Sequence, residues 1–269
     1  MTPPPADLQA VIADAWRATE KTPGYLLENE AKFLGVLAAI IPAEGAIVEI
    51  GSFRGRSTVM LAKMSAHYNL GPIVAIDPHN SPILLNPGGV GRRSSYDDFL
   101  ASIRAAGIEK YVEPHVAYST DVSPAWNRPI RLLWIDGDHS YRGALDDLNG
   151  FLPHLQPNAV VALHDSLSPF SGPIRVFVEN ILRSDKFGPA GFVHSIAWSQ
   201  YRPADGAKFR SEREQLAKRA EKLIPIVAHD EELHGLKKIK YKLLRSRIPR
   251  FPLPLETWAT QLDPASRPK

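Results

Sequence analysis

Acidic and imidazole side chains occur in two short groups, and each group directly follows a run of apolar residues. Asp136, Asp138 and His139 follow "LLWI", and His164 and Asp165 follow "VVAL". Such runs are typical of buried strands, and open α/β sheets bind ligands at the carboxyl ends of their strands. Carboxylates at one sheet edge suit a hard cation such as Mg²⁺, and an imidazole suits proton transfer near neutral pH. The two groups therefore predict a metal site beside a general base, with Asp136 and Asp165 as the carboxylate pair.

The stretch "VEIGSFRGRST" predicts a strand, a glycine turn and the start of a helix. Such a turn lets a ligand approach the backbone and the free N–H groups of the helix. A dinucleotide fingerprint would need glycine where Phe53 and Arg56 stand, and a P-loop would need Gly and Lys at Arg56 and Ser57. What the turn offers instead is Gly51 and Gly55, separated by three residues.

Acidic residues flank this turn. Glu49 precedes it, and Asp77 ends the next predicted strand in "AIDPH". A carboxylate at the strand end repels a pyrophosphate but suits a ligand that carries an amino group and a sulfonium. Asp77 is in position to accept hydrogen bonds from ribose hydroxyls, as acidic residues do in nucleotide-binding folds.

These motifs resemble a known family. "VEIGSFRGRST" looks like motif I of class I S-adenosylmethionine-dependent methyltransferases, and "AIDPH" looks like their ribose-binding second strand. "WIDGDHSYRGALDDL" followed by "LQPNAVVALHDS" resembles the metal-dependent O-methyltransferases that include macrolide-sugar O-methyltransferases and cephalosporin-hydroxylase-like proteins. Catechol-type O-methyltransferases are more distant. The resemblance covers roughly residues 25–200, because the C-terminal segment lies outside it.

The resemblance implies a divalent metal, expected to be Mg²⁺, and an active-site base at His139. It places metal on Asp136 and Asp165, and we add His164 as a candidate third ligand. The position before Asp165 is often acidic in the sugar-methylating relatives, whereas here it is His164. An imidazole ligand would favour Mn²⁺, Fe²⁺ or Zn²⁺, and the alternative is that His164 packs or caps without ligating.

Further residues near these strand ends are candidates for binding S-adenosylmethionine. We expect Ser52, Ser57 and Thr58 to contact the methionine carboxylate at the helix N-terminus, and Ser119 to end a strand near adenine. Asp138 is expected to cap the helix that begins near Ser140. The full set is Glu49, Gly51, Ser52, Gly55, Ser57, Thr58, Asp77, Ser119 and Asp136.

The implied activity is metal-dependent transfer of a methyl group from S-adenosylmethionine to a hydroxyl oxygen (EC 2.1.1.-). The resemblance favours a hydroxyl of a sugar or glycoside. A catechol or another natural-product hydroxyl is the first alternative, and a non-methylating hydroxylase-like or binding protein of the same fold is the second.

Apolar strands and amphipathic helices alternate over residues 46–204, which predicts a doubly wound, mostly parallel sheet. The resemblance implies that this sheet belongs to a Rossmann-like methyltransferase fold. We distinguish N-terminal helices at 1–45, an S-adenosylmethionine-binding domain at 46–204 and a basic helical tail at 205–269. Residues 80–95 contain two prolines and three glycines, and they predict either a surface insertion or a lid.

The 269 residues include no cysteine, so disulfides and zinc–thiolate sites are excluded. No signal peptide or apolar span of membrane length is evident, and we expect a soluble, cytoplasmic protein. The net charge is +6 over residues 205–269 and −3 over the rest. The tail is expected to pack on the core or form a dimer contact, with an anionic surface as the alternative; nucleic acid is not expected as a partner.

Overall fold

A seven-stranded sheet forms the centre of the fold. The computed structural model describes residues 4–80, 94–228, 232–250, 254–263 and 265. The strands are Ala46–Ile50 (β1), Ile73–Ile76 (β2), Val112–His115 (β3), Ile130–Ile135 (β4), Leu155–Leu163 (β5), Phe187–Val193 (β6) and Ile196–Tyr201 (β7). Their order is β3-β2-β1-β4-β5-β7-β6. Strands β1 to β5 pair in parallel, and β7 is antiparallel to both of its neighbours. The predicted mostly parallel, doubly wound sheet is confirmed.

Helices flank the sheet. They are Leu8–Thr19 (α1), Glu28–Ile40 (α2), Arg56–Tyr68 (α3), Tyr96–Ala105 (α4), Ser119–Val122 (α5), Tyr141–Phe151 (α6), Ser171–Val176 (α7), Arg210–Ala220 (α8), Ile224–Val227 (α9), Gly235–Ser246 (α10) and Leu255–Leu262 (α11). Helix α7 continues into a π-helical segment, Phe177–Leu182. Among the described elements, α1, α2 and α3 contact one another, and α6 packs on α7.

The central strands explain why the sheet edge is well defined. All six residues of β4 are buried, because helices cover both faces of a central parallel strand. Hydrogen bonds run on past the strand ends, from Asp136 N to Ile50 O at 2.8 Å and from His164 N to Ile135 O at 2.9 Å. The residues that follow β4 and β5 therefore start from a fixed backbone.

The C-terminal segment packs on the same hydrophobic core as the sheet. Trp258 of α11 contacts Phe33 of α2 and Trp198 of β7, at ring-centroid distances of 4.8 and 4.9 Å. Gln200 Nε2 donates to Leu262 O at 2.8 Å. Part of the basic tail thus packs on the core, which is one of the possibilities that the sequence analysis gives for this segment. The three-part division at residues 45 and 204 stays a proposal.

The structure corrects one sequence-based expectation, and it does not describe the residues on which another depends. Strand β3 ends at His115, and Ser119 begins the short helix α5 instead of ending a strand. Residues 81–93 of the predicted surface insertion or lid lie outside the described residues. None of the described helices is long and apolar enough to cross a membrane.

Candidate active site

The carboxyl ends of β4 and β5 bring three side chains together. Ligand atoms of Asp136, His139 and Asp165 all lie within 4.8 Å of one another. His139 Nε2 is 3.4 Å from Asp136 Oδ1 and 3.8 Å from Asp165 Oδ2. The first two residues follow β4, and the third follows β5, so neighbouring strands supply the cluster. This is the convergence that the sequence predicts for Asp136 and Asp165.

The spacing and chemistry of this cluster suit a divalent cation. Donors that bind one Mg²⁺ at about 2.1 Å lie roughly 3 Å apart in adjacent octahedral positions and roughly 4 Å apart in opposite ones. The distances from His139 Nε2 to the two carboxylates fall in this range. Asp165 adopts a left-handed backbone conformation, with φ of 51°, and Ser168 Oγ donates to its Oδ1 at 2.6 Å. Oδ2 of Asp165 therefore faces the cluster.

His164, the candidate third ligand, lies between two acidic side chains. Its Nδ1 lies 3.0 Å from Asp136 Oδ1, and its Nε2 lies 3.3 Å from Glu30 Oε2. Ionised carboxylates only accept hydrogen bonds, so two such bonds require the imidazolium form of His164 in the metal-free protein. Burial lowers the pKa of His164, but Asp136 and Glu30 outweigh it and raise that pKa well above the ordinary value. His164 Nδ1 also lies 3.7 Å from Asp165 Oδ2, so both histidines lie beside the carboxylate pair, and the contact of His164 Nε2 with Glu30 is what distinguishes His164.

Glu30 completes this buried arrangement from helix α2. Ser195 N donates to Glu30 Oε1 at 3.1 Å, and Leu27 N donates to its Oε2 at 3.1 Å. Burial alone would raise the pKa of Glu30, but His164 and Ser195 hold it at about 2. A carboxylate–imidazolium–carboxylate chain thus links α2 to Asp136, and His164 orients Asp136 as its central member.

Replacing His164 by Gln should lower the free energy of unfolding of the metal-free protein by about 3–5 kcal/mol, because two buried carboxylates lose their shared cation. Glu30→Gln should be less costly in the His164→Gln background than in the wild type, since the lost interaction is the same. Denaturant unfolding of the four proteins measures both effects. A His164→Gln protein with unchanged metal-free stability and abolished metal affinity would instead identify His164 as a ligand.

His139 is held against an aromatic wall. Its ring lies 4.5 Å from that of Phe170, and Gly172 N donates to the His139 carbonyl at 3.0 Å. Burial lowers the pKa of His139, but the hydrogen bond to Asp136 and the charge of Asp165 outweigh it and raise that pKa. Its Nε2 faces the cluster, where it is placed either to take a proton or to ligate.

The cluster opens into a pocket of about 1000 Å³. Of the residues expected to bind cofactor or metal or to act as the base, the pocket wall includes Gly51, Asp77, Ser119, Asp136, His139, His164 and Asp165. At Gly51, φ is 88° and a Cβ would lie 2.1 Å from the carbonyl oxygen of Asp136, so only glycine fits. The carboxylate of Asp77 accepts from Phe53 N at 2.7 Å and from His79 N at 2.6 Å, which fixes its orientation at the pocket wall.

The remaining expected cofactor residues lie behind the turn. Ser57 and Thr58 are buried, and their hydroxyls donate to the two oxygens of Glu49, which is itself fully buried. Their side chains thus support the turn instead of lining the pocket wall. Ser52 is also buried, and its hydroxyl has no hydrogen-bond partner among the described residues. Gly55, with φ of 88°, is the N-cap of α3.

Glu49 should make the cofactor-free protein less stable as the pH rises. Burial raises the pKa of Glu49 from 4.5 to about 8, more than the two hydroxyl donors lower it. Because the folded-state pKa is the higher one, stability is lost between about pH 4.5 and 8, where the unfolded chain has released the proton that the folded protein still holds. The Glu49→Gln protein lacks this loss. Its free energy of unfolding should exceed that of the wild type by roughly 3–5 kcal/mol above pH 8, but not near pH 4.5.

Unfolding experiments across this pH range, without cofactor, measure the Glu49 effect. Glu109→Gln is the matched control, because Glu109 is exposed and its replacement should change stability little at any pH. A Glu49→Gln difference that is constant with pH would show that Glu49 is ionised throughout.

Sequence reasoning missed two residues near the site, Glu30 and Asp147, and its expectation for Asp138 was correct only in part. Glu30 and Asp147 carry no local motif. Asp147 is a buried acid on the apolar side of α6, which is the one signal that could have drawn attention to it. Ser119 Oγ donates to Asp147 Oδ1, whereas the buried Oδ2 has no partner among the described residues. Burial raises the pKa of Asp147 to about 6.

The expected cap Asp138 instead accepts from Ser140 N at 2.8 Å, and Ser140 is the N-cap of α6.

Comparisons with known proteins concern the domain that contains this site. Residues 48–166 match a family model described as a methyltransferase domain. This range begins in β1 and ends just after Asp165, so it contains the glycine turn and both groups of acidic residues.

Three solved structures share the fold. Cofactor-bound Rv0187 from MTB is 20% identical with a TM-score of 0.53, over 76% of this chain and 100% of that one. An O-methyltransferase from Bacillus cereus in complex with SAH is 20% identical with a TM-score of 0.51, over 74% and 93%. The O-methyltransferase TomG from Streptomyces achromogenes, in complex with SAM, is 20% identical with a TM-score of 0.51, over 74% and 90%. Residues 48–166 are therefore a methyltransferase domain, and the chain has the class I S-adenosylmethionine-dependent methyltransferase fold that its motifs predict.

Proposed function

We propose that the protein transfers a methyl group from S-adenosylmethionine to a hydroxyl oxygen, with a divalent metal ion, and that the acceptor is a sugar or glycoside. The observation that carries this proposal is the cluster of Asp136, His139 and Asp165 inside a pocket that Gly51 and Asp77 also line. Donor and acceptor sites thus share one cavity. Its volume of about 1000 Å³ is at the upper end of the range for ligand pockets, which leaves room for two molecules.

Several groups in the pocket fit S-adenosylmethionine. Gly51 leaves space for a ligand beside the backbone of the turn. Asp77, oriented by two backbone N–H groups, offers its remaining lone pairs to ribose hydroxyls. The buried, unpartnered Oδ2 of Asp147 suits the exocyclic amino group of adenine, because an unpaired buried acceptor is costly. Glu49 supports the turn from behind, where it accepts hydrogen bonds from the hydroxyls of Ser57 and Thr58.

In this proposal Asp136 and Asp165 hold the metal ion, and His164 and Ser168 orient them. A bound divalent ion lowers the pKa of a hydroxyl and orients it. His139 takes the hydroxyl proton at Nε2, and Asp136 stabilises the imidazolium that forms. Phe170 limits the movement of the imidazole, and the pocket holds nucleophile and methyl donor in line.

The choice of a sugar acceptor rests on the resemblance of "DGDH" and "HD" to the sugar-methylating group and on the polar pocket rim. Asn80, Arg142 and Asp146 line the pocket and suit hydrogen bonds to a polyhydroxyl ligand. Aromatic Tyr25 and Tyr118 also line it, which keeps a catechol as the alternative. We further propose a cytoplasmic location, in keeping with the absence of cysteine, and a homodimer.

The experiment is incubation with S-adenosylmethionine, Mg²⁺ and a panel of nucleotide sugars, glycosides and catechols. Formation of S-adenosylhomocysteine with a sugar acceptor, lost with EDTA and restored by Mg²⁺ or Mn²⁺, supports the proposal. Turnover that EDTA leaves unchanged would contradict the metal requirement. Turnover with catechols alone would overturn the acceptor class, and cofactor binding without turnover on any acceptor would favour the non-methylating alternative.

A further inference from the structure

Helix α10 exposes a ridge of aliphatic side chains. Leu236, Ile239 and Leu243 are 84%, 63% and 54% exposed, although side chains of this kind are usually buried. They are three and four residues apart, so they form one continuous stripe along the helix. The opposite side of α10 packs on the protein through Tyr241, which is buried and donates from its hydroxyl to Leu167 O at 2.6 Å. The ridge therefore faces away from the core.

Basic residues surround this ridge. Helix α10 contains Lys237, Lys238, Lys240, Lys242 and Arg245 and no acidic residue. At about 100° per residue, Lys240 and Lys242 fall on the two flanks of the ridge. Apolar side chains between lysines on an exposed helix face are typical of helices that lie in the interface of an anionic bilayer.

The charge of α10 favours one kind of partner for the exposed ridge over the others. Two copies of α10 packed face to face would place their lysines against each other, and like charges repel. A nucleic acid would use the lysines but not the aliphatic ridge. An anionic lipid surface uses both, since headgroups attract the lysines and the acyl boundary takes up the aliphatic side chains.

We propose that α10 binds the surface of an anionic lipid bilayer, with Leu236, Ile239 and Leu243 inserted and Lys240 and Lys242 against the headgroups. Leu167, which anchors the other side of the helix, is two residues after Asp165. The segment after Asp165, which lines the pocket, thus lies about one helix diameter, roughly 10 Å, from the proposed bilayer surface. This inference does not depend on the proposed reaction.

Flotation with vesicles of phosphatidylcholine and phosphatidylglycerol tests it, against vesicles of phosphatidylcholine alone. The full-length protein should float with the anionic vesicles and much less with the neutral ones, and added salt should weaken binding. Lys240→Gln with Lys242→Gln should weaken binding roughly 25-fold, about fivefold for each lysine. Leu236→Ser, Ile239→Ser and Leu243→Ser together should abolish flotation.

Lys218→Gln with Lys222→Gln is the matched control, because both lysines are exposed and outside α10. It should retain most of the vesicle binding, and all variants should keep the wild-type melting temperature. No flotation of the wild type, or flotation that the ridge variant and the control lose equally, would overturn the proposal. A ridge variant that turns a dimer into a monomer, with no vesicle binding by the wild type, would assign the face to a second copy.

Discussion

Asp165→Asn is expected to lower kcat about a thousandfold, which corresponds to about 4 kcal/mol of transition-state stabilisation. The amide is nearly isosteric, and its oxygen is able to accept the hydrogen bond from Ser168 Oγ. The change therefore removes charge from the cluster with little change in shape. Affinity for Mn²⁺, measured by calorimetry, should fall with kcat, whereas affinity for S-adenosylhomocysteine without metal should change little.

Asp97→Asn is the control for this substitution. Asp97 is an exposed acid in the first turn of α4, so the same chemical change there should leave turnover and metal affinity at wild-type values. An Asp165→Asn protein that keeps both values would show that Asp165 does not hold the metal. Loss of folding, read from the melting temperature, is separated from loss of metal by the retained binding of S-adenosylhomocysteine.

His139→Ala is expected to reduce kcat by roughly 10²- to 10⁴-fold, the usual contribution of a general base. His139 Nε2 faces both carboxylates, and we expect the neighbouring His164 not to replace it, because the other ring nitrogen of His164 contacts Glu30. Affinity for S-adenosylhomocysteine should remain within about twofold of the wild type. Steady-state kinetics and calorimetry measure the two quantities separately.

The control for His139 is His234→Ala, because His234 is exposed and lies outside the pocket. Equal losses of turnover and cofactor affinity in His139→Ala would indicate a structural role. A loss of metal affinity as large as that of Asp165→Asn would make His139 a ligand, since its Nε2 is close enough to both carboxylates for either role.

The sheet and the carboxylate pair could be predicted because their signals are local. Asp136 and Asp165 each follow an apolar strand directly, so the position of the strand end fixes the position of the acid. The expectation that Ser119 ends a strand is wrong, because β3 is too short to reach it. Its pairing with β2 ends at His115, opposite Ile76, and the chain then turns into α5.

The contact between His164 and Glu30 could not be predicted, because the two residues are remote in the sequence. Glu30 lies 134 positions earlier, on α2, and nothing in either neighbourhood indicates the pair. From the local sequence, an imidazole next to Asp165 reads as a ligand. Only the folded chain shows that both nitrogens are engaged by carboxylates. Asp147 is similar, since Ser119, its partner, belongs to another helix.

A crystal structure grown with Mn²⁺ and S-adenosylhomocysteine, with anomalous scattering data, tests the central claim most directly. The account predicts one Mn²⁺ peak bound by carboxylate oxygens of both Asp136 and Asp165, next to His139, with His164 still between Asp136 and Glu30. A peak bound by His164, or bound by only one of the two carboxylates, would contradict it.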